Sequence, residues 1–290
     1  MKGIQLEKPW QRDPVTGVIL GAEPFAMGEG SHAVLFLHGW SSSPRELRFL
    51  GDRVAQAGFR CRGPLLKGHG TRLSDLEPTR FPDFLAAAES EFDALAAAHD
   101  RVSVCGLSMG GLLGLQLAAR RPVANLVLIA PFLTPSGATC GLPNRWLVGR
   151  VPLPAIMAKR LPGPIADPAG TESHIAYHAM ATRSMVSVVE AARGFSAYIP
   201  KVVCPTLILH SIHDTTSDFA GSEMLIRRLG SEDKTLVVFN RGNHVITLDY
   251  EKERLEETAL EWLIKRRSVS TIPSGVGSRE SGEKRKPGEP

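Results

Sequence analysis

The sequence lacks the features that would indicate a metal site, a membrane span or a nucleic-acid surface. Its 290 residues include four cysteines but no C-x-x-C pair, so neither a zinc site nor a redox motif is indicated. No segment approaches the ~20 apolar residues of a membrane helix, and residues 1–13 have no apolar run typical of a secretory signal. The net charge is only +4, without a long basic run in the body of the chain, which argues against nucleic acid as a partner. We therefore expect a cytoplasmic protein without stable membrane insertion, a monomer or homodimer.

What the sequence does contain is an alternation of short apolar runs and helical patterns. Residues 33–37 form a continuous apolar run, typical of a strand buried on both faces of a parallel sheet. Further strands are predicted at residues 59–66, around Val102 and Val104, and at residues 123–129, 205–210 and 235–239. Helices are predicted at residues 44–57, 81–99, 112–120, 222–229 and 255–266. This alternation predicts an α/β fold with a mostly parallel, doubly wound sheet and helices on both faces.

The alternation is interrupted between residues 132 and 200. This stretch contains many prolines and glycines and several short helical patterns, of which residues 184–195 are the clearest. It is too long for a simple loop and is predicted to be a small helical cap, inserted after the sixth strand. The core then comprises residues 1–131 and 201–267. The tail, residues 268–290, has almost no large apolar residue and is predicted to be disordered.

A candidate nucleophile lies between a predicted strand and a predicted helix. Residues 106–110 read Gly-Leu-Ser-Met-Gly, a G-x-S-x-G pattern with Ser108 at its centre. At such a tight joint a side chain at Gly106 or Gly110 would collide with neighbouring backbone. The first N–H groups of the following helix point toward the serine, where they stabilise developing negative charge. The context therefore predicts a nucleophile elbow, although the pattern alone also occurs by chance around structural serines.

A serine hydroxyl needs a base to take its proton and a carboxylate to orient that base. In doubly wound sheets such groups come from loops at the carboxyl ends of strands. Asp214 follows the strand at residues 205–210, and His244 follows the strand at residues 235–239. The order Ser108, Asp214, His244 predicts a catalytic triad of nucleophile, acid and base.

Other ionisable residues near these positions offer alternative assignments. Asp218 lies in the same loop as the predicted acid but farther from the strand end. His210 and His213 are close to that acid, but no later strand delivers them, so they are predicted to be ordinary polar or packing residues. Asp249 follows His244 too closely to be the orienting acid and is predicted to cap the last helix.

The oxyanion formed by attack on a carbonyl must be met by backbone N–H groups. One predicted donor is Met109, which directly follows the nucleophile. The other is Trp40 in the His38-Gly39-Trp40 turn after the first buried strand. A purely structural interpretation of that turn, as a strand ending, remains open. Past the turn, Ser43 and Glu46 have the spacing of a capping box, and Pro44 fits the first helical position.

With these motifs the chain resembles the bacterial carboxylesterases and monoacylglycerol lipases of the α/β-hydrolase superfamily, over about residues 34–263. The segments that carry the resemblance are residues 35–40, 67–70, 106–111, 213–214 and 243–249. The resemblance implies an α/β-hydrolase fold and ester hydrolysis through an acyl-serine intermediate, without a cofactor. It implies that Ser108, Asp214 and His244 are the triad. His69, in the Lys67-Gly68-His69-Gly70 segment, is expected to be a structural hydrogen-bonding residue.

The function predicted from the sequence is a serine carboxylesterase that hydrolyses short- to medium-chain esters, with a small-molecule ester as its partner. The main alternative is a monoacylglycerol lipase with an apolar cap facing longer acyl chains. Residues 147, 148, 151, 153, 156 and 157 are the apolar cap positions that would line such a pocket. An alternative of another class is a non-catalytic binding protein on the same fold.

Overall fold

A computed structural model describes residues 9–135, 154–159 and 163–267. The strands of this part of the chain are β1 (Phe25–Met27), β2 (His32–Leu37), β3 (Arg60–Gly63), β4 (Arg101–Leu107), β5 (Leu126–Ile129), β6 (Ile156–Ala158), β7 (Ala179–Ala181), β8 (Thr206–Ser211) and β9 (Lys234–Phe239). Its α-helices are α1 (Arg45–Gln56), α2 (Leu73–Leu76), α3 (Phe81–Ala98), α4 (Met109–Ala118), α5 (Pro168–Ser173), α6 (Thr182–Phe195), α7 (Phe219–Arg228) and α8 (Lys252–Lys265).

Seven strands form one sheet in the order β1-β3-β2-β4-β5-β8-β9. Only β1 runs antiparallel to its neighbour; the other pairs in this sheet are parallel. The predicted α/β fold with a mostly parallel sheet is therefore confirmed. Ahead of β1, Arg12 and Ile19 form an isolated antiparallel bridge. The edge strands of the sheet are β1 and β9.

Helices cover both faces of the sheet because the strands bury both sets of alternating side chains. In β2, Ala33, Leu35 and Leu37 belong to one apolar cluster, and Val34 and Phe36 belong to the other. Apolar residues of α3, α4 and α7 complete the first cluster, and those of α1 and α8 complete the second. Functional loops are therefore expected to follow the carboxyl ends of the parallel strands, between the two helical layers.

The start of α1 differs from the prediction. The helix begins at Arg45, Pro44 is its N-cap, and no side chain caps it. The predicted capping box of Ser43 and Glu46 is therefore wrong. Glu46 instead directs its carboxylate at the loop that precedes the helix.

The predicted insertion, residues 132–200, lies between β5 and β8; β5 is the fifth strand, not the sixth, in the described part of the chain. The insertion contains the antiparallel pair of β6 and β7, the short helix α5, and α6, which matches the helix predicted at residues 184–195. Residues 136–153, 160–162 and the tail at 268–290 lie outside the described residues. The division into core and cap stays a prediction. No helix of the described ranges is long and apolar enough to cross a membrane.

Candidate active site

Ser108 lies at the junction of β4 and α4 with an unusual backbone conformation. Its φ of 56° and ψ of −116° are strained for a residue with a side chain. Such strain persists only where the surroundings enforce it, and it is concentrated at functional sites. The serine is buried at the carboxyl end of the sheet. The predicted strand-to-helix turn around Ser108 is therefore present.

The glycines of the motif allow the backbone to pass this closely. A Cβ atom on Gly106 would lie 2.2 Å from the carbonyl oxygen of Gly110. A Cβ atom on Gly110 would lie 1.8 Å from the carbonyl oxygen of Leu37, at the end of β2. Both distances are far below van der Waals contact, so the turn requires glycine at the two positions.

Asp214 and His244 come together from the loops after β8 and β9. His244 Nδ1 lies 2.7 Å from Asp214 Oδ2. The other carboxylate oxygen accepts backbone N–H bonds from Thr216 at 2.7 Å and Ser217 at 2.8 Å. The Asp214 side chain is fully buried, and the His244 side chain nearly so. The predicted acid and base are thus in direct contact.

The charge state of Asp214 follows from these contacts. Burial alone would raise the pKa of its carboxyl group. The charge interaction with His244 and hydrogen bonds from His210 and His244 outweigh burial, and they hold the pKa of Asp214 well below its usual range. At neutral pH the group is therefore an ionised acceptor, which fixes the proton of His244 on Nδ1.

A second imidazole contacts the same carboxylate, which sequence reasoning missed. His210 Nε2 lies 2.9 Å from Asp214 Oδ2, and His210 Nδ1 lies 2.6 Å from Ser222 Oγ of α7. The ring is fully buried and packs against the Phe219 ring, with 5.5 Å between the ring centres and 67° between the ring planes. His210, predicted to be an ordinary polar or packing residue, is thus in direct contact with the predicted acid. The available signal was its spacing of four residues before Asp214, on the strand that delivers the acid.

Two of the alternative candidates for the acid and the base, Asp218 and His213, have different surroundings. Asp218 is the N-cap of α7, where its carboxylate accepts the N–H of Ala220 at 3.0 Å. His213 is exposed. Neither residue contacts the His244 ring among the described hydrogen bonds, so the structure favours Asp214 over its alternatives.

Asp249 is a buried junction rather than a helix cap. The N-cap of α8 is Glu251, so the predicted capping role of Asp249 is wrong. Its carboxylate accepts four backbone N–H bonds between 2.7 and 3.0 Å. Two come from Ala166 and Asp167 of the insertion, and two come from Asn243 and Tyr250. Asp249 therefore ties the loop that carries the candidate base to the insertion.

Ser108 is linked to the acid through the neighbouring backbone. Phe132 N–H donates to the Ser108 carbonyl at 3.1 Å, and Ser217 Oγ donates to the Pro131 carbonyl at 2.8 Å. Ser217 is also one of the backbone donors to Asp214. Within the described ranges no hydrogen bond joins Ser108 Oγ to the His244 ring. In serine hydrolases this contact commonly tightens only when substrate is bound.

The backbone N–H groups of the two predicted oxyanion donors, Trp40 and Met109, differ from their neighbours in hydrogen bonding. In the turn after β2, the neighbouring N–H groups of Gly39, Ser41 and Ser42 each donate a hydrogen bond. The N–H groups of Trp40 and Met109 donate none within the described part of the chain. Both lie at the ends of strands that are adjacent in the sheet. The arrangement therefore offers two unpaired donors next to Ser108.

Comparisons with known proteins bear on this arrangement. Residues 28–251 match the sequence profile of the family described as serine aminopeptidase, S33. The chain belongs to this family. It is 31% identical over 249 residues to the thermostable monoacylglycerol lipase of Bacillus sp. (strain H-257), covering 86% of this chain and 96% of that protein. It is 23% identical over 250 residues to the carboxylesterase of Bacillus subtilis (strain 168), covering 85% and 98% respectively.

Solved structures give the same relationship. A structure of the metagenome-derived lipolytic enzymes LipS and LipT is similar with a TM-score of 0.78 and 27% identity, covering 88% of this chain and all of that one (100%). The monoacylglycerol lipase of Paleococcus ferrophilus shares the fold, with a TM-score of 0.72 at 20% identity over 84% of this chain and 98% of that one. The predicted resemblance to α/β hydrolases of the carboxylesterase and monoacylglycerol lipase type is confirmed.

In this S33 family member the insertion holds the turn at residues 39–43, which is called the oxyanion turn below after the role predicted for Trp40. Each residue from 40 to 43 makes a hydrogen bond to the insertion. The contacts are Trp40 Nε1 to Ser184 Oγ (3.0 Å), Lys159 Nζ to Ser41 Oγ (2.5 Å), Tyr177 N to the Ser41 carbonyl (2.9 Å), Ser42 Oγ with His174 Nε2 (3.0 Å) and Ser43 Oγ to the Ile175 carbonyl (3.1 Å). The donor Trp40 is thereby positioned by residues far away in the sequence.

Glu46 supports the same turn from beneath. Its buried carboxylate accepts the Gly39 N–H and the Ser42 hydroxyl, and it lies 3.5 Å from His174 Nε2. Burial would raise the pKa of Glu46, but the hydrogen bond and charge of His174 outweigh that effect and lower it. Glu46 is thus an ionised acceptor inside the protein.

Lys159 and His69 complete the surroundings of Ser41. Lys159 is exposed as a residue, but its ammonium group turns inward, 2.5 Å from Ser41 Oγ and 5.7 Å from the centre of the Trp40 ring. Burial of this group lowers the pKa of Lys159 to about 8, partly offset by the charge of Glu46. His69 Nε2 accepts the Ser41 N–H at 2.9 Å. This contact agrees with the expected structural role of His69.

The described residues contain no group of three His, Cys, Asp or Glu side chains that could hold a metal ion. What the site offers is a strained serine, an ionised acid in contact with an imidazole, and two unpaired N–H donors. This set of groups suits acyl transfer through a covalent intermediate.

Proposed function

We propose that this protein is a serine carboxylesterase that hydrolyses short- to medium-chain carboxylic esters. The observation that carries the proposal is the contact between Asp214 and His244 at the same edge of the sheet as the strained Ser108. The family relatives named as carboxylesterase and monoacylglycerol lipase support ester hydrolysis. A non-catalytic binding role is disfavoured because all three side chains of the triad are present.

The proposed chemistry follows from the protonation of His244. Asp214 accepts a hydrogen bond from the Nδ1–H of His244, so Nε2 is the basic nitrogen available to the serine. His244 takes the proton of Ser108 Oγ as the oxygen attacks the ester carbonyl. The N–H groups of Trp40 and Met109 stabilise the oxyanion of the tetrahedral intermediate. His244 then protonates the leaving alcohol, and it later activates the water that releases the acid.

A second candidate function is monoacylglycerol hydrolysis. The Bacillus relative with 31% identity is named a monoacylglycerol lipase, and the alignment covers 96% of that protein. Of the positions predicted to line an apolar acyl pocket, residues 147, 148, 151 and 153 lie outside the described residues. Ile156 is exposed and Met157 is partly buried. A cytoplasmic location, a monomeric or homodimeric state and the absence of nucleic-acid partners complete the proposal.

The test is hydrolysis of p-nitrophenyl esters from acetate to palmitate, and of monoacylglycerols, by the wild type and Ser108→Ala. We expect a maximum at short or middle chains, and a loss of roughly 10⁴-fold or more in the variant. A rising preference for long chains would favour the lipase function. Wild-type turnover by Ser108→Ala, or a fluorophosphonate probe that labels another residue, would show that the assignment of Ser108 is wrong.

A further inference from the structure

Asp214, the acid of the candidate triad, contacts a second histidine in addition to the base His244. Asp214 Oδ1 accepts two backbone N–H bonds, and Oδ2 faces both His244 Nδ1 and His210 Nε2. An ionised carboxylate has about four acceptor sites, so this one is fully used. Because Asp214 has no other protein donor among the described residues, His210 is its only side-chain partner besides the base.

The protonation of His210 follows from its neighbours. Asp214 is ionised and only accepts, so His210 Nε2 carries a proton. On the other side, Ser222 Oγ lies 2.6 Å from Nδ1 and has no other hydrogen bond in the described structure. In a ring with its single proton on Nε2, Nδ1 is the acceptor, and the Ser222 hydroxyl donates to it. Ser222, in α7, thus supports the tautomer of His210 that points a donor at the acid.

We propose that His210 is a positioning residue, which acts on the base His244 through the carboxylate that the two rings share. The proposal rests on the proposed ester hydrolysis. The bond from His210 fixes the orientation of the Asp214 carboxylate relative to His244. It also draws negative charge away from Oδ2, so the cation that His244 forms during catalysis is stabilised less strongly. Without the bond from His210, this stabilisation of the His244 cation would be stronger.

Apart from Asp214, the residues packed around His210 are uncharged. In contact with the ring, α7 contributes Ser222 and Phe219. The neighbouring strand β9 pairs Val238 with His210, and β5 pairs Ile129 with the adjacent Leu209. None of these side chains is charged. A change at His210 therefore reaches the base through Asp214.

Two substitutions of His210 distinguish its role as a hydrogen-bond donor from its role in filling space. His210→Phe keeps a buried aromatic ring against Phe219 but removes the donor. His210→Gln offers an amide N–H that reaches Asp214. A matched control is His32→Phe, because His32 is also a buried histidine, 2.8 Å from Ser103 Oγ, but it lies in β2 at the opposite end of the sheet. Its replacement perturbs packing without contacting the candidate site.

The experiment measures kcat and kcat/KM for p-nitrophenyl butyrate from about pH 5 to 9, together with the melting temperature of each variant. We expect the acid limb of kcat/KM to move up by about one pH unit in His210→Phe, with about a tenfold lower kcat. His210→Gln should restore most of both, and His32→Phe should leave the limb in place. An unchanged limb in a folded His210→Phe, or equal shifts in the Phe and Gln variants, would overturn the proposal.

A measurement on the wild type covers the case in which His210→Phe does not fold. In protein labelled with ¹⁵N-histidine, His210 should be the Nε2–H tautomer and His244 should carry a proton on Nδ1, both with downfield N–H protons. An Nδ1–H tautomer of His210 would contradict the proposal. The hydrolysis assay with Ser108→Ala keeps the two hypotheses separate. No wild-type turnover would refute the proposed function, whereas serine-dependent turnover that is insensitive to His210 would refute only this inference.

Discussion

The nucleophile elbow and the oxyanion turn follow neighbouring parallel strands, but they are held in different ways. Each contains a serine at positive φ, Ser108 at 56° and Ser41 at 65°. The elbow is enforced by backbone packed against backbone, at glycines where no side chain fits. The turn is enforced by side chains, most of which belong to the insertion. The two halves of the site therefore differ in what can disturb them: volume in the first, polar contacts and charge in the second.

The largest effect is expected from added volume at the elbow. Gly110→Ala places a Cβ atom at 1.8 Å from the Leu37 carbonyl, so the backbone must move. We expect a loss of about 3 kcal/mol or more in the free energy of unfolding, measured by urea denaturation, and loss of activity. Gly194→Ala is the control, since a Cβ atom there meets nothing within 4 Å near the end of α6. It should stabilise the protein by up to about 1 kcal/mol. Similar stabilities for the two variants would show that the elbow does not depend on the absence of a side chain at Gly110.

An intermediate effect is expected from the buried carboxylate beneath the turn. Glu46→Gln keeps the volume but replaces one acceptor oxygen by a donor facing Ser42 and His174. We expect kcat to fall about tenfold, because Trp40 is less well positioned, and stability to fall by about 1–2 kcal/mol. Glu256→Gln is the matched control, a buried glutamate paired with Arg53. If both variants lowered kcat equally, the turn would not depend specifically on Glu46.

The smallest effect is expected from the lysine at the same turn, and it depends on pH. In the folded protein the pKa of Lys159 is about 8, below its ordinary value of 10.5. Between these values the unfolded chain binds more protons, so this group makes the free energy of unfolding rise as pH increases. Lys159→Met lacks the group. We expect the stability of the wild type relative to this variant to rise from about pH 8 to 10. A constant difference in urea denaturation over this range would contradict the prediction.

The parts of the site that sequence reasoning predicts are those where the backbone restricts residue type. Gly106, Ser108 and Gly110 are recognisable because a tight strand-to-helix turn tolerates little else. Asp214 and His244 are predictable because carboxyl ends of parallel strands share one edge of a sheet. The same logic predicts the sheet, since its central strands β2, β4, β5 and β8 are buried on both faces.

The support of the oxyanion turn was not predictable for a physical reason. It comes from serine, lysine and histidine side chains more than 110 residues away in the sequence, and these residue types have no fixed spacing. Glu46 was misassigned because a capping box and a buried acceptor present the same sequence pattern. The contact of His210 with the acid was not predicted because the base was expected after a strand later than the one that delivers Asp214.

The junction at Asp249 limits how such proteins can be recombined. Its carboxylate receives the N–H groups of two consecutive residues of the insertion, Ala166 and Asp167, beside that of Asn243. A chimera that takes its insertion from a relative must bring two adjacent N–H groups to this place along the same backbone path. A proline at either position would leave a buried carboxylate oxygen short of a donor and release the loop that carries His244. An exchange of the insertion between relatives must therefore preserve the backbone path at residues 166 and 167. This constraint applies in addition to the choice of residues that would line an acyl pocket.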